Sequence, residues 1–296
     1  MYHATKGGFS TLFLIISIPC QPERERKLFQ QYIEDIEALI HSLEPNPTMG
    51  KLTKQSLGDR SFFYCRFSES IKERVNKLIA DRITKFYFDY VKKILIDQLI
   101  VDQYQSPYPE DLTEIRERVD QIISVDQSVF LSKKKCLAQS VYRFLEENQY
   151  IAIDGFFRFR TKNVQQWFQS YVQRAIEDYL LDREYREFIQ LLKYFVSVQR
   201  SKFIRVHVIH KENKNFQLLK EDGTPILINE LDKNFHEIIN QSFSGEDFIV
   251  GALLSTAPEQ VVLHTHSPEE NIIRTLLQIF DGRITICSGC HRCLSF

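Results

Sequence analysis

The sequence predicts an α+β protein, with a small α/β unit over residues 11–67, a mostly helical region over 68–200 and a C-terminal α/β unit over 201–296 ending in a cysteine cluster. Three observations carry that expectation. Apolar residues recur at helical spacing through the middle of the chain. Short apolar or alternating runs bounded by turn residues lie at both ends. Near Ser201 the period changes from helix to strand.

Leu12–Ile18, LFLIISI, reads as a buried strand. Lys6 before it and Cys20 after it also resemble a short secretion or lipoprotein signal. Ile18 and Pro19, however, stand where processing needs small side chains, and the run is too short to span a bilayer. A cytoplasmic chain is therefore expected. Pro22 suits the first turn of a helix that runs to about Leu43, with Phe29, Ile33, Ile36, Ile40 and Leu43 on one face. Glu44-Pro45-Asn46-Pro47 ends it. Two extended runs, about Lys51–Gln55 and Phe62–Phe67, flank a Gly58-Asp59 turn.

Ser70-Ile71-Lys72-Glu73 has the pattern of a capping box, in which the first side chain and the fourth satisfy each other's free backbone N–H. Behind it Ile71, Val75, Leu78, Ile79, Ile83, Phe86, Tyr90 and Ile94 follow a helical stripe. Phe86-Tyr87-Phe88 broadens that stripe, as a helix buried on two sides needs. Ser106-Pro107-Tyr108-Pro109 reads as a linker, and shorter helices are expected at Glu110–Ile123 and about Val129–Glu147. Asp154-Gly155 is a turn signal. The residues after it read as a strand with phenylalanines inward and arginines outward, bulged at Phe156-Phe157. Helical periodicity returns from Asn163 to Val198, with an interruption expected at Asp182–Glu184.

Phe203–Ile209 alternates as a strand should. Phe216–Leu219 and Pro225–Ile228 flank Glu221-Asp222-Gly223-Thr224 as the arms of a hairpin. Helices are expected at about Lys233–Gln241 and Asp247–Thr256. The last unit reads as strand Gln260–His264, helix Pro268–Phe280 and strand Arg283–Cys287. Parallel pairing of those strands would put His264 and Cys287 on the same edge of the sheet.

Function is constrained first by what is missing. Lys plus Arg (38) nearly balances Asp plus Glu (39), so no global basic field exists to attract nucleic acid or an anionic membrane. There is no Walker lysine motif, GxGxxG, GxSxG or HExxH. Glu146-Glu147 and Asp182-Arg183-Glu184 read as solvated charge, and Trp167 with the tyrosine-rich helices as core. His207 and His210 fall on opposite faces of one strand and read as ordinary strand residues.

Half of the six cysteines lie within seven residues, as Cys287-x2-Cys290-x2-Cys293. Three thiolates on a short segment can hold one zinc ion, with His264, His266 or His291 completing a tetrahedron. The same cysteines admit a thiol–disulfide pair, a metal cluster or unliganded thiols. An iron–sulfur cluster wants a fourth cysteine, and haem attachment at Cys-Ser-Gly-Cys-His belongs outside the cytoplasm. A second patch interleaves Phe156, Phe157 and Phe159 with Arg158, Arg160 and Lys162. A surface that stacks bases and neutralises phosphates has those letters, and so has a half-buried strand.

DGFFRFRTKN (Asp154–Asn163), EFIQLLKYFVSVQ (Glu187–Gln199), and TAPEQVVLH (Thr256–His264) followed by DGRITICSGCHRC (Asp281–Cys293) make the chain resemble the YtxC-like family of sporulation proteins from endospore-forming Firmicutes. The resemblance runs from about the first strand to the last cysteine. It implies a role in spore formation in a cytoplasmic compartment and transfers no catalytic residue. The expectation is a non-enzymatic interaction protein with a protein partner and a structural zinc site. The alternatives are a nucleic-acid-binding accessory using Arg158, Arg160 and Lys162, and a redox or metal enzyme using the cysteines.

Overall fold

The computed structural model describes residues 11–19, 23–43, 52–105, 108–211, 215–227, 230–231 and 244–295, with backbone alone at 23–30 and 294–295. The chain divides into two compact units, Met1–Tyr179 and Leu180–Phe296. Both are mixed helix and sheet, so the α+β class holds. The expected helix at Lys233–Gln241, the Glu44–Pro47 stop, and Pro22, Cys20, Ser106 and Pro107 lie outside the described residues.

The first unit is built on a four-stranded sheet in the order β2-β3-β1-β4. Its strands are β1 (Thr11–Pro19), β2 (Leu52–Leu57), β3 (Arg60–Ser68) and β4 (Tyr150–Ala152). The apolar run expected to be a strand is central, antiparallel to β3 and parallel to β4, with Leu14, Ile16 and Ile18 buried. Gly58, at φ +59°, makes the β2–β3 turn in a region that disfavours side chains. Ser17 is also buried, and its hydroxyl is shared by the Tyr150 hydroxyl at 2.8 Å and the Arg60 guanidinium at 3.0 Å. Burying a strand hydroxyl is tolerable because it is paired.

Helix α1 (Glu23–Leu43) buries Ile33, Ile36 and Ile40 of its expected apolar face and half-buries Leu43, while the Phe29 side chain lies outside the described residues. Helices α2 (Lys72–Phe86) and α3 (Lys92–Gln103) are joined by a π-helical turn, Tyr87–Val91. The turn follows from three consecutive aromatics that all have to be buried. Wider winding spreads successive side chains over less of the helix circumference. Tyr87 meets the Phe157 ring edge-on at 4.7 Å, and Phe88 meets Phe130 at 5.1 Å. The capping box does not form. A 3-10 turn, Glu69–Ile71, leads into α2 instead, and the Ser70 hydroxyl bonds that of Ser68 at 2.8 Å. Helices α4 (Pro109–Val125, proline at its first position) and α5 (Gln127–Glu147) follow.

The expected strand after Asp154-Gly155 is a helix, α6 (Ile153–Arg160). The doubled phenylalanine that spoiled alternation is the reason: Phe156 and Phe157 are both buried, while Phe159 is 70% exposed. Strand geometry would send Phe156 and Phe157 to opposite faces, whereas a helix keeps neighbours on one broad face. Asp154, rather than turning the chain, takes both Arg60 amino groups at 2.6 and 3.1 Å. Helix α7 (Lys162–Val198) shows no break at Asp182–Glu184. Arg183 reaches Glu187 one turn on, at 2.8 Å, across that point.

The second unit has a sheet in the order β6-β5-β7-β8, made of β5 (Arg205–Lys211), β6 (Asn215–Lys220), β7 (Gln260–His264) and β8 (Ile284–Ile286). The β5–β6 pair is antiparallel, while β5–β7 and β7–β8 are parallel, as the closing β-α-β reading expected. Helix α8 (Gly245–Thr256) is capped by the Ser244 hydroxyl, which accepts from the Asp247 N–H at 3.2 Å, and α9 is Asn271–Ile279. Val206, Val208, Val261 and Leu263 share one face by register and join a core with Ile249, Leu253, Ile273 and Leu276. The second arm of the expected 216–228 hairpin is reduced to a single Leu219–Pro225 bridge among the described residues. Asp222 takes the Thr224 N–H and hydroxyl at 2.9 and 2.7 Å, and the arms are joined by the Lys220 N–H donating to the Thr224 carbonyl at 2.8 Å and the Ile226 N–H to the Leu218 carbonyl at 3.0 Å. No described helix is long and apolar enough to cross a membrane.

Candidate metal centre

Strand register explains how distant residues reach one place. Ile209 pairs with His264, and Val262 with Thr285, so alternation sets His207, His264 and Cys287 on the sheet face opposite Val208 and Leu263. Cys287 is held at the end of β8 by its N–H, which donates to the Leu263 carbonyl at 2.8 Å. Gly289 then adopts φ +115°, which a side chain would oppose, and the chain folds back so that Cys290 and Cys293 return toward His264. The Cys293 N–H donates to the Cys290 carbonyl at 3.0 Å and starts a 3-10 turn, His291–Ser295, that keeps both thiols on one side.

The donor atoms of His264, Cys287, Cys290 and Cys293 all lie within 4.8 Å of one another. His264 Nδ1 is 3.3 Å from Cys293 Sγ and 3.6 Å from Cys290 Sγ, and the two sulfurs are 3.9 Å apart. A tetrahedral zinc with bonds of about 2.3 Å to sulfur and about 2.0 Å to nitrogen sets sulfurs about 3.8 Å apart, and sulfur and nitrogen about 3.5 Å apart. The distances among His264, Cys290 and Cys293 are thus those of a zinc shell, and Cys287 is near enough to be the fourth donor. A disulfide needs sulfurs about 2.05 Å apart, so Cys290 and Cys293 are not a bonded pair.

Electrostatics suits ligation. Desolvation is the largest influence on His264 and holds its pKa below the usual imidazole value, with Arg292 and His291 adding to it. A neutral ring is the form that binds metal. Desolvation pushes the Cys290 thiol up, but the backbone around Cys293 and Arg292 and the neighbouring thiols outweigh it, and the net shift is down. Cys293 moves up, through desolvation and then the adjacent thiols. Cys290 is thus the readiest thiolate of the pair.

His207, which sequence reasoning dismissed, is part of this arrangement. Its Nδ1 lies 3.0 Å from His264 Nε2. For His264 to offer Nδ1 to a metal, its proton has to sit on Nε2, and His207 Nδ1 is then the acceptor that fixes that tautomer. Desolvation, then the charges of Arg292 and His264, lower the His207 pKa to about 4, which keeps its ring able to accept. Its alternation with His264 was readable only once β5 and β7 were known to be neighbours.

The other expected ligands stand apart. His266 places Nε2 3.2 Å from the Cys293 carbonyl oxygen, a backbone contact, and His291 is exposed. His210 lies on the other face from His207, as expected, with Nδ1 2.9 Å from the Thr265 hydroxyl. Arg158, Arg160 and Lys162 are exposed around the end of α6. The Arg160 guanidinium sits 5.0 Å from the Phe144 ring, and Arg158 sits 5.8 Å from Phe159. Two of the three aromatics that would have stacked bases, Phe156 and Phe157, are in the core.

The model of the YtxC-like family matches residues 77–285, well over half of the chain. The chain belongs to the YtxC-like family. A protein of Bacillus subtilis (strain 168), described as "Uncharacterized protein YtxC", is 21% identical over 216 residues, covering 71% of this chain and 76% of that protein. No solved structure matches. The YtxC-like match includes His207 and His264 and stops two residues before Cys287.

Proposed function

We propose that His264, Cys287, Cys290 and Cys293 bind one zinc ion whose role is structural, pinning the segment after β8 against β7. The carrying observation is the match of the sulfur–sulfur and sulfur–nitrogen distances to a tetrahedral shell. Four protein ligands fill that shell and leave no position for water or substrate. This supports a structural ion over a catalytic one, and a non-enzymatic chain over a metal enzyme. Family membership supports the wider reading: a cytoplasmic protein of spore formation that works by docking a protein partner.

The test is the metal content and visible absorbance of untagged protein purified without oxygen, beside a Cys290→Ser variant. One zinc per chain, lost in the variant and colourless in both, is the expected result. Iron with visible absorbance would replace this reading with redox chemistry, and a metal-free wild-type protein would end it. The cellular role is tested by deleting the gene in its host and counting heat-resistant spores. An unchanged count would remove the sporulation assignment.

A further inference from the structure

The π-helical turn Tyr87–Val91 sets an extra residue between α2 and α3 and so turns α3 by about 100° relative to a continuous helix. Ile94 shows the effect. Sequence periodicity put it on one stripe with Val75, Ile79 and Ile83, and those three are buried while Ile94 is 37% exposed. Tyr90, from the same stripe, is half-buried.

Both side chains line a cavity of about 350 Å³ in the first unit, together with Ile18, Phe86, Ile153 and Phe157, all four of them buried. Three exposed polar residues, Gln98, Asp154 and Arg158, complete its edge. An apolar interior with a few polar groups at the edge is the form that small-molecule sites take, at roughly 300–1,000 Å³. Single π turns are rare and are often found at such sites.

The two charges at the edge are not equivalent. Asp154 is neutralised by Arg60, whose two amino groups lie 2.6 and 3.1 Å from its carboxylate oxygens. Arg158 makes no ion pair among the described residues, and its guanidinium lies 5.8 Å from the Phe159 ring. The cavity mouth therefore carries a net positive charge, on a planar fork that matches a carboxylate. The ligand complementary to both features has an apolar body and one terminal carboxylate. A chain of about ten carbons suits the lower end of the size range for such pockets.

We propose that this cavity binds a medium-chain fatty acid, with its hydrocarbon chain against Tyr90, Ile94 and Phe157 and its carboxylate on Arg158. The site lies in the first unit and the four zinc ligands in the second, so the two proposals stand or fall separately. The test is calorimetric titration of the full-length chain with sodium decanoate and, separately, with 1-decanol. Decanoate should bind saturably, one molecule per chain and about tenfold more tightly than decanol. Arg158→Gln should remove that difference by weakening decanoate alone. Ile94→Trp, which fills the cavity from its exposed side, should abolish binding of both with unchanged far-UV circular dichroism. If Ile94→Trp fails to fold, Arg158→Gln still decides, since it alters an exposed side chain. The proposal is overturned by wild-type protein that gives no saturable heat with decanoate or does not distinguish it from decanol. It is equally overturned by undiminished decanoate binding in Arg158→Gln or in folded Ile94→Trp.

Discussion

At residue scale the chemistry rests on pairs whose members are far apart in sequence. His207 touches His264 across 57 positions, and under the zinc proposal it is a positioning residue that acts through that ring. Replacing His207 with Phe removes the acceptor that holds the His264 tautomer. The expected effect is a ten- to hundredfold weaker metal affinity in a chelator competition, with His207→Gln, whose carbonyl can accept, recovering part of the loss. Equal affinities in all three proteins would show that the ring contact is incidental. Asp154 is the corresponding residue in the first unit. The Arg60 hydrogen bond is the largest influence on its carboxyl and holds its pKa below the ordinary value, against the opposing effect of desolvation. A depressed folded-state pKa means the stabilisation is complete above the unfolded value, about 3.9, and disappears as pH falls through the lower folded value. Asp154→Asn should therefore be less stable than wild type at neutral pH, by on the order of 1 kcal/mol since both partners are partly exposed, with the gap closing in acid. Urea melts at neutral pH and at low pH measure this, and a gap independent of pH would contradict it.

At the scale of elements, α6 and the π-helical turn belong together. Both exist to place rings: Phe157 reaches Tyr87, and Phe156 reaches Phe144 at 5.3 Å. Phe157→Ala should cost about 3–5 kcal/mol, because the ring is buried against Tyr87 and Phe156 and its loss removes those contacts. Phe159→Ala, on the exposed side of the same helix, should stay within about 0.5 kcal/mol. Thermal melts of the two variants compare a helix with a strand directly, since a strand from Phe156 to Phe159 would bury Phe157 and Phe159 together. The alternation of aromatic and basic letters was legible in the sequence and misled, because two periods fit a stretch this short. Burial of the doubled phenylalanine chose between them.

At the scale of the whole molecule, the two compact units should respond separately to metal removal. A ligand that binds only the folded form stabilises the part that binds it. Chelation should therefore increase hydrogen exchange in β7, β8 and the segment through Cys293 while leaving β1 and β3 protected. Uniform loss of protection would mean that the units unfold together. Much of this architecture was determined by local sequence. The central strand Leu12–Ile18, the faces of α1 and α2, and the closing β-α-β each follow from side chains a few residues apart, whose period fixes which face is apolar. The cysteine spacing likewise marked where a metal could sit. What the tertiary structure alone decided was which histidine lies beside the thiols and which histidine lies beside that one. His264, His266 and His291 were equivalent by composition, and His207 read as an ordinary strand residue. The parallel register of β5, β7 and β8 separated them, and that register is set by burying Val206, Val208, Val261 and Leu263 on the far face of the sheet. Side-chain alternation then put His207 and His264 on the face where Cys287 ends its strand.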